Sequence, residues 1–433
     1  MTAVPARAWA VTAAGTAVNL CLGILYGWSV WKAALVPQDA SLYGTPMTGL
    51  NEGWIYLSNT QGNWAYSVCG AVFALFMIPG GRLQDRYGAK IGATLGGLFL
   101  AVGCIIAGLM KSYEGLVIGF GVFGGIGMGL GYAAATPAAV KWFHSSRRGL
   151  IVGLVVAGYG AAAVYISPLA DYLIRTHGLT GSFVGLGILF AVVVVIAGRL
   201  LNPPPTGYVA PAPEASVKKE QGTDAPRSPQ IDFSANQMLR TWQFYALVFL
   251  FIGSAQSGLL VIANAKSLLT DAAGKTGFFA ENAWLLVTFI GVVNATGRVG
   301  TGRYSDRIGR LNAYAINGAV SALCLLVAPW VIAEKNVFLL FAIIGVMAWQ
   351  YGGSLALLPA MTADYYGPKN MGLNYGLVFA GWGIAFFVPQ VASVIKDATK
   401  QWDGAFYLSA GLLVAAVLVS RIIRKPVSAA SSA

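Results

Sequence analysis

The stretch from Asn294 to Arg310 reads Asn294-Ala-Thr-Gly-Arg298-Val-Gly-Thr-Gly302-Arg-Tyr-Ser-Asp306-Arg307-Ile-Gly309-Arg310. Its first half places Arg298 inside the apolar segment 283–302, and its second half is a run of charges and glycines typical of a sharp turn at a surface. If the segment spans a bilayer, a lone charge near its centre costs from about 2.5 to more than 10 kcal/mol. Arg298 is therefore the first candidate for a functional residue.

The composition of the whole chain is that of an integral membrane protein. Of its 433 residues, 57% are hydrophobic and only 10% are charged, whereas soluble domains carry about 25% charged residues. The net charge of +12 comes from basic residues in short loops between apolar segments, not from one basic face or tail. We therefore expect no binding of nucleic acid.

Twelve apolar segments are long enough, at about 20 residues each, to cross a membrane as helices. Six precede the polar, proline-rich residues 202–241 and six follow them. We predict an all-α protein with one six-helix bundle at 1–201, a cytoplasmic linker at 202–241 with a disordered middle, and a second six-helix bundle at 242–433. The predicted spans are 9–35, 54–79, 91–110, 115–140, 150–174, 183–201, 244–269, 283–302, 312–332, 337–360, 372–395 and 405–423.

Basic residues predict the orientation of these spans. If both termini are cytoplasmic, the loops and termini on that side contain 19 of the 28 Lys and Arg residues, and such an excess is the rule for cytoplasmic loops. Eight others, including Lys32, are assigned to the opposite side. This assignment leaves Arg298 as the one cation within the membrane.

The two halves are repeats of each other. Residues 81–88 match 302–309 at an offset of 221, and residues 149–160 match 372–383 at an offset of 223 with eight of twelve positions identical. Two duplicated bundles imply a central cavity between them, because transporters place substrate at the interface of such repeats.

Two explanations are open for Arg298: a structural ion pair with a buried acid, or a site for a mobile anion. None of the sixteen Asp and Glu residues falls in the middle of a predicted span, and Asp171, Asp364 and Glu281 are all near helix ends. The lack of a resident partner favours an anion from solution. A guanidinium offers two parallel donors that fit a carboxylate, and Asn294 lies on the same helical face.

Two loops share a pattern that resembles the signature loop of the major facilitator superfamily. The resemblance covers the whole chain and implies two pseudo-symmetric six-helix bundles. It also implies that the glycines permit a tight turn, each aspartate lies against a helix N-terminus, and each arginine keeps the cytoplasmic face closed by pairing. The pattern residues are Gly81, Asp85, Arg86 and Gly88 in the first half, and Gly302, Asp306, Arg307 and Gly309 in the second.

A narrower resemblance is to the oxalate/formate exchangers and the bacterial and animal monocarboxylate transporters. In those families the arginine of the eighth helix pairs with the substrate carboxylate, which implies this role for Arg298. Aromatic side chains line the cavity of those families at the positions of Tyr26, Tyr132 and Tyr159, and Tyr351 is a further candidate; ordinary helix packing is the alternative for all of them. The resemblance rests on Met238 to Phe244, Tyr26-Gly-Trp28-Ser, Ala157-Gly-Tyr159-Gly, Arg298 and Gly352-Gly-Ser354.

Two departures from these families refine the expected substrate. Trp382 replaces a lysine that the oxalate exchangers carry in the eleventh helix, so one cation instead of two faces the substrate, and the pocket is narrower. Asn294 replaces an aspartate that animal monocarboxylate transporters carry one turn before the arginine and that is linked to proton coupling. A single cation suits a monoanion.

We therefore expect secondary active transport of small monocarboxylates such as lactate, pyruvate or formate by alternating access, through proton-coupled symport or anion exchange. The alternatives are an oxalate/formate-type dicarboxylate antiporter and a sensor that binds a carboxylate without transporting it. We expect no enzyme activity, no metal and no cofactor. The expected partners are a carboxylate anion, a proton in the case of symport, and the lipid of a bacterial inner membrane, with a monomer as the functional unit.

Overall fold

A computed structural model describes residues 4–143, 148–205, 207–211, 232–274, 276–367 and 370–426, without the side chains of residues 85, 148–150 and 371–372. Throughout these ranges the chain is helical or irregular, apart from one isolated bridge between Pro46 and Ile55. Eleven helical segments are long and apolar enough to cross a membrane, and one of them, Ile151–Leu200, contains two helices. The prediction of an all-α protein with twelve spans is confirmed.

The twelve helices are numbered here in chain order. They are α1 (Ala6–Leu35), α2 (Asn59–Tyr87), α3 (Ala89–Met110), α4 (Tyr113–Val140), α5 (148–177), α6 (179–200), α7 (Trp242–Ala273), α8 (Trp284–Ile308), α9 (Arg310–Ala333), α10 (Val337–Tyr366), α11 (Met371–Thr399) and α12 (Asp403–Ile422). Gly178, with a φ of 70°, divides α5 from α6.

Two of these helices are interrupted near the middle of the fold. In α1 a 3₁₀ turn, Gly23–Gly27, separates two α-helical segments and contains Tyr26. In α11 the break is at Phe386, between Met371–Ala385 and Phe387–Thr399. Such irregular backbone within a membrane helix is tolerated where it is buried in protein or lines a cavity.

The start of α2 differs from the prediction. Residues 54–58, which the hydropathy pattern places in the second span, belong to the preceding loop, and the helix begins at Asn59. Ser58 accepts a hydrogen bond from the Gln61 backbone N–H while the Gln61 side chain accepts one from the Ser58 N–H. This capping box satisfies two donors at the helix start and fixes the boundary.

The predicted sharp turn at 302–309 is wrong in its extent. Gly81 and Gly302 are helical, as are the Asp-Arg pairs that follow them, and only Gly88 and Gly309 turn the chain, with φ of 84° and 91°. Exposed polar residues can continue a helix beyond the apolar part of a span, and one glycine within a helix costs only about 1 kcal/mol. The turn therefore needs one glycine and not two.

The last ten residues of the predicted linker are packed on the second bundle. Phe233 donates its backbone N–H to the Tyr366 carbonyl at 2.9 Å, and its own carbonyl accepts from the side-chain amides of Asn370 and Asn374. A short helix, Ala235–Leu239, follows a capping box at Ser234. The stretch 212–231, which includes the middle predicted to be disordered, lies outside the described residues.

The two sides of the bundle are named here by what they contain. The terminal face is the side on which α1 begins and α12 ends, and the loop face is the opposite side, with residues 36–58. The two halves meet along α2 and α11, α5 and α8, and α1 and α7. The centre of this interface contains the residues that the sequence singles out.

Candidate functional site

Arg298 is buried at the interface between the two halves. Its side chain is 9% exposed. Nε donates to Asn294 Oδ1 at 3.3 Å, Nη2 donates to the Tyr26 hydroxyl at 3.3 Å, and Nη1 donates to the Val156 carbonyl at 3.4 Å. Asn294 belongs to the same helix, whereas Tyr26 and Val156 belong to the first half. The guanidinium thus bridges the bundles.

The contacts of Arg298 leave its charge uncompensated. All three acceptors are neutral, all three bonds are long for N–H···O hydrogen bonds, and no carboxylate is among its described contacts. The Tyr132 hydroxyl also lies close to the guanidinium. A guanidinium has five N–H donors, so these neighbours do not use all of them. Asn294 Nδ2 is also buried without a partner among the described residues. The site therefore offers several donors to an incoming acceptor.

Three aromatic side chains extend the polar network from Arg298. The hydroxyls of Tyr26 and Tyr351 are 2.9 Å apart, and the Trp382 indole N–H donates to the Tyr351 hydroxyl at 3.0 Å. Only one of the two hydroxyl hydrogens is used in the Tyr26–Tyr351 bond, whichever oxygen donates. The other has no described acceptor and is available to a ligand.

Further rings enclose this network. Tyr159 packs edge-on against Tyr26 at 5.2 Å between ring centroids and against Tyr132 at 5.3 Å. Phe73 of α2 contacts Tyr132, Tyr159 and Trp382 at 5.1–5.8 Å. The structure therefore brings together all seven predicted site residues: Arg298, Asn294, Tyr26, Tyr132, Tyr159, Tyr351 and Trp382. Phe73 is a further neighbour, which no sequence motif singles out.

Close packing of α8 on α10 positions Arg298 and Asn294. A Cβ on Gly352 would be 2.1 Å from the Asn294 carbonyl oxygen, and one on Gly297 would be 2.6 Å from the Trp349 carbonyl oxygen. Only glycine fits at such distances, and small residues at a crossing bring two membrane helices together. The Gly352-Gly-Ser354 motif thus has a packing role beside the site.

The position of Lys32 contradicts the prediction that Arg298 is the one cation within the membrane. It is fully buried in α1, where it was predicted to face the side opposite the termini. Its Nζ donates to Asn264 Oδ1 of α7 and lies 5.7 Å from the centroid of the Trp402 ring. Arg298 is therefore not the one buried cation, because packing of α1 on α7 covers a lysine near the end of the span.

A carboxylate joins the two halves on the loop face. Asp397 of α11 accepts four hydrogen bonds at the start of α2, from the backbone N–H and side-chain amide of Asn59 and from the backbone N–H and hydroxyl of Thr60, at 2.6–3.2 Å. Asn59 also donates to the hydroxyl of Tyr43. Burial, and next the nearby Asp397 charge, raise the pKa of Tyr43, so this hydroxyl stays neutral.

A second cluster of charges joins the halves on the same face. Asp171 of α5 pairs with Lys266 of α7, and with Arg175 one turn later at 2.7 Å. Arg175 also donates to the carbonyl of Glu281 at 2.5 Å. These contacts and those of Asp397 close the loop face above the Arg298 site.

The signature residues on the terminal face are arranged differently from the prediction. Asp306 pairs with Arg310 at 2.5 Å, and Arg310 also donates to the Gly302 carbonyl at 3.3 Å and is 4.0 Å from Asp364. The ion pairs with Asp306 and Asp364 are made by Arg310 and not by Arg307. Arg310 follows the turn, and its side chain points back along α8. The first-half signature is described less fully: Arg86 lies over the ring of the adjacent Tyr87, and the side chain of Asp85 is outside the described residues.

Comparison with known proteins agrees with this architecture. The oxalate:formate antiporter of Oxalobacter formigenes is 26% identical over 339 residues, which cover 74% of this chain and 76% of the relative. Monocarboxylate transporter 12 of Xenopus laevis is 25% identical over 389 residues, covering 84% and 82%. The crystal structure of a D-xylose-proton symporter has the same fold, with a TM-score of 0.68, 16% identity and coverage of 96% and 98%.

These relatives include both branches that the sequence motifs indicated. The fold and the relatives are those of transporters, so the prediction that the chain is not an enzyme is confirmed. The sequence model described as Major Facilitator Superfamily matches residues 8–349 and, in a second match, residues 267–433. The chain belongs to the Major Facilitator Superfamily.

Proposed function

We propose that the protein transports small monocarboxylates of the lactate, pyruvate or formate type by alternating access, with Arg298 as the residue that binds the carboxylate. The observation that carries this proposal is a buried guanidinium with long hydrogen bonds to neutral acceptors and with no carboxylate among its described neighbours. A carboxylate would supply the missing charge and accept two parallel N–H donors. Asn294 Nδ2 and the spare Tyr26 or Tyr351 hydroxyl would complete its coordination.

The same geometry gives a mechanism for coupling binding to the change of access. When the cavity is open, water solvates part of the guanidinium. Closure removes this water, and the free-energy cost is offset if a carboxylate occupies the site. The loaded carrier therefore changes conformation faster than the empty one, which favours anion exchange unless a proton or another ion assists the return. The neutral Asn294 supplies no titrating carboxylate for such a proton.

We also propose a bacterial inner membrane as the location, with the terminal face cytoplasmic and a single chain as the functional unit. The excess of Lys and Arg in the loops of the terminal face supports this orientation.

Uptake by proteoliposomes tests the proposal. Purified protein is reconstituted, pH and voltage gradients are imposed separately, and labelled one- to four-carbon carboxylates are offered from outside. We expect saturable uptake of monocarboxylates, stimulated by unlabelled monocarboxylate inside the vesicles. Binding without counterflow would instead indicate a sensor, and no saturable uptake or binding of any carboxylate would refute the proposal.

Lys32 supports the second candidate function, a dicarboxylate antiporter of the oxalate type. It supplies a second buried cation, and it lies six residues beyond Tyr26, about 9 Å along the helix axis towards the loop face. The Lys32 amine donates to Asn264 of α7, whereas Arg298 donates to Asn294 and Tyr26. The two cations thus belong to different hydrogen-bond networks, so we favour the monocarboxylate.

The variant Lys32→Gln separates the two candidates. Glutamine keeps a hydrogen-bond donor in a shorter side chain and removes the charge. If the substrate is a monocarboxylate bound at Arg298, we expect the KM for lactate to change less than about threefold and oxalate to compete poorly in both proteins. Strong competition by oxalate in the wild type that disappears in Lys32→Gln would establish the dicarboxylate antiporter instead.

A further inference from the structure

We propose that Tyr66 of α2 binds an oxygen substituent on the second carbon of the substrate. The transported class would then be the 2-oxo and 2-hydroxy monocarboxylates. This inference rests on the proposed function, because it requires a carboxylate at Arg298, and it narrows that function to substrates with a second polar group.

The hydroxyl of Tyr66 is buried and unpaired. Its residue is 0% exposed, and the hydroxyl oxygen has no hydrogen-bond partner among the described residues. Two polar neighbours on the same helix do have partners: Asn63 and Ser67 donate to backbone carbonyls of α11 at 3.1 and 2.8 Å. Burial removes the hydroxyl from water without replacing its hydrogen bonds. Phenylalanine would fill the same space without this cost, so packing does not account for a tyrosine here.

The Tyr66 ring lies against the wall of the Arg298 site. It packs on Phe386 with 4.9 Å between centroids, and Phe386 packs on Trp382 at 4.6 Å. Trp382 donates to the hydroxyl of Tyr351, which contacts that of Tyr26. The Tyr66 hydroxyl also lies near those of Tyr26 and Tyr351.

The neighbouring turns of α2 show that this helix face lines the site. Phe73 follows Tyr66 by seven residues, which is about two helical turns and therefore the same face. Phe73 packs against Tyr132, Tyr159 and Trp382. Tyr66 thus lies on the face of α2 that contacts the Arg298 site through Phe73.

The chemistry of a free hydroxyl selects the substrate class. A tyrosine hydroxyl donates to a 2-oxo oxygen and either donates to or accepts from a 2-hydroxyl. Formate, acetate and propionate have no atom that could pair with it. A site built to hydrogen-bond a polar substrate group disfavours an analogue without it, because the protein group is then left buried and unpaired.

The test compares lactate with propionate, which differ by one hydroxyl, in proteoliposomes with wild-type protein and with Tyr66→Phe. We expect the wild type to favour lactate. In Tyr66→Phe the preference for lactate over propionate, measured as the ratio of their KM values, should fall about three- to tenfold, mainly through a higher KM for lactate. Pyruvate should behave as lactate does.

Tyr314→Phe is the matched control. Tyr314 is also a buried tyrosine, but its hydroxyl donates to the Leu250 carbonyl at 2.7 Å. This variant should lower the Tm of the purified protein and keep the substrate preference, whereas Tyr66→Phe should keep the Tm and change the preference. An unchanged lactate-to-propionate ratio in Tyr66→Phe overturns the inference.

The failure of this inference and the failure of the proposed function give different results. If the wild type transports lactate, Arg298→Ala does not, and Tyr66→Phe keeps the wild-type preference, only the role of Tyr66 is wrong. If the wild type transports neither lactate, pyruvate nor propionate, the proposed function is wrong, and the inference falls with it.

Discussion

Arg298→Ala should abolish carboxylate uptake while the protein remains folded. Each hydrogen bond to a charged group contributes about 1.5–3 kcal/mol, so the loss of two parallel bonds lowers substrate affinity by on the order of a hundredfold or more. The variant also removes a buried charge whose described contacts are long and neutral. We therefore expect its Tm in detergent to equal or exceed that of the wild type, which separates a binding role from a structural one.

Two further variants sharpen this result. Arg298→Lys keeps the charge but loses the fork of parallel donors, so we expect uptake well below the wild type. Arg303→Ala removes an exposed arginine from the same helix and should leave uptake unchanged. Normal uptake by Arg298→Ala, or a lower Tm together with lost uptake, would show that Arg298 is a structural residue.

The spans could be predicted from the sequence because membrane thickness sets a minimum length for an apolar helix. The same rule misplaced the start of α2, since Trp54 and Leu57 are apolar yet belong to a loop. The correct boundary is encoded in a different signal, the Ser58-x-x-Gln61 capping box. Hydropathy reports where a chain is apolar, and capping reports where a helix begins.

The centre of the site could be predicted because a lone charge in an apolar segment stands out. Lys32 was misassigned, since a lysine close to the end of a span usually extends its amine to the surface; here α7 covers it. Phe73 and Tyr66 gave no signal, because aromatic residues are ordinary in membrane helices. Their role depends on which helix face meets the other half, and periodicity within one helix does not contain that information.

Asp397→Ala should open the loop face. Asp397 accepts four hydrogen bonds from Asn59 and Thr60 of the other half and interacts electrostatically with the buried Lys32. The substitution leaves the donors at the start of α2 without their acceptor and removes one negative charge near Lys32. Because hydrogen bonds to a charged group contribute about 1.5–3 kcal/mol each, we expect the population open on the loop face to rise about tenfold or more.

A cysteine at Ser29 reports this opening. Ser29 is buried in α1 between Tyr26 and Lys32, so a membrane-impermeant thiol reagent added on the loop face reaches Ser29→Cys only when that face is open. Labelling should be about tenfold faster or more when Asp397→Ala is added, and Glu334→Gln, which neutralises an exposed acid on the same face, should not change it. Equal labelling rates with and without Asp397→Ala would show that Asp397 does not close the loop face. If labelling does rise, the maximal rate of exchange should fall. A carrier that is more often open on the loop face exposes its Arg298 site less often to the terminal face.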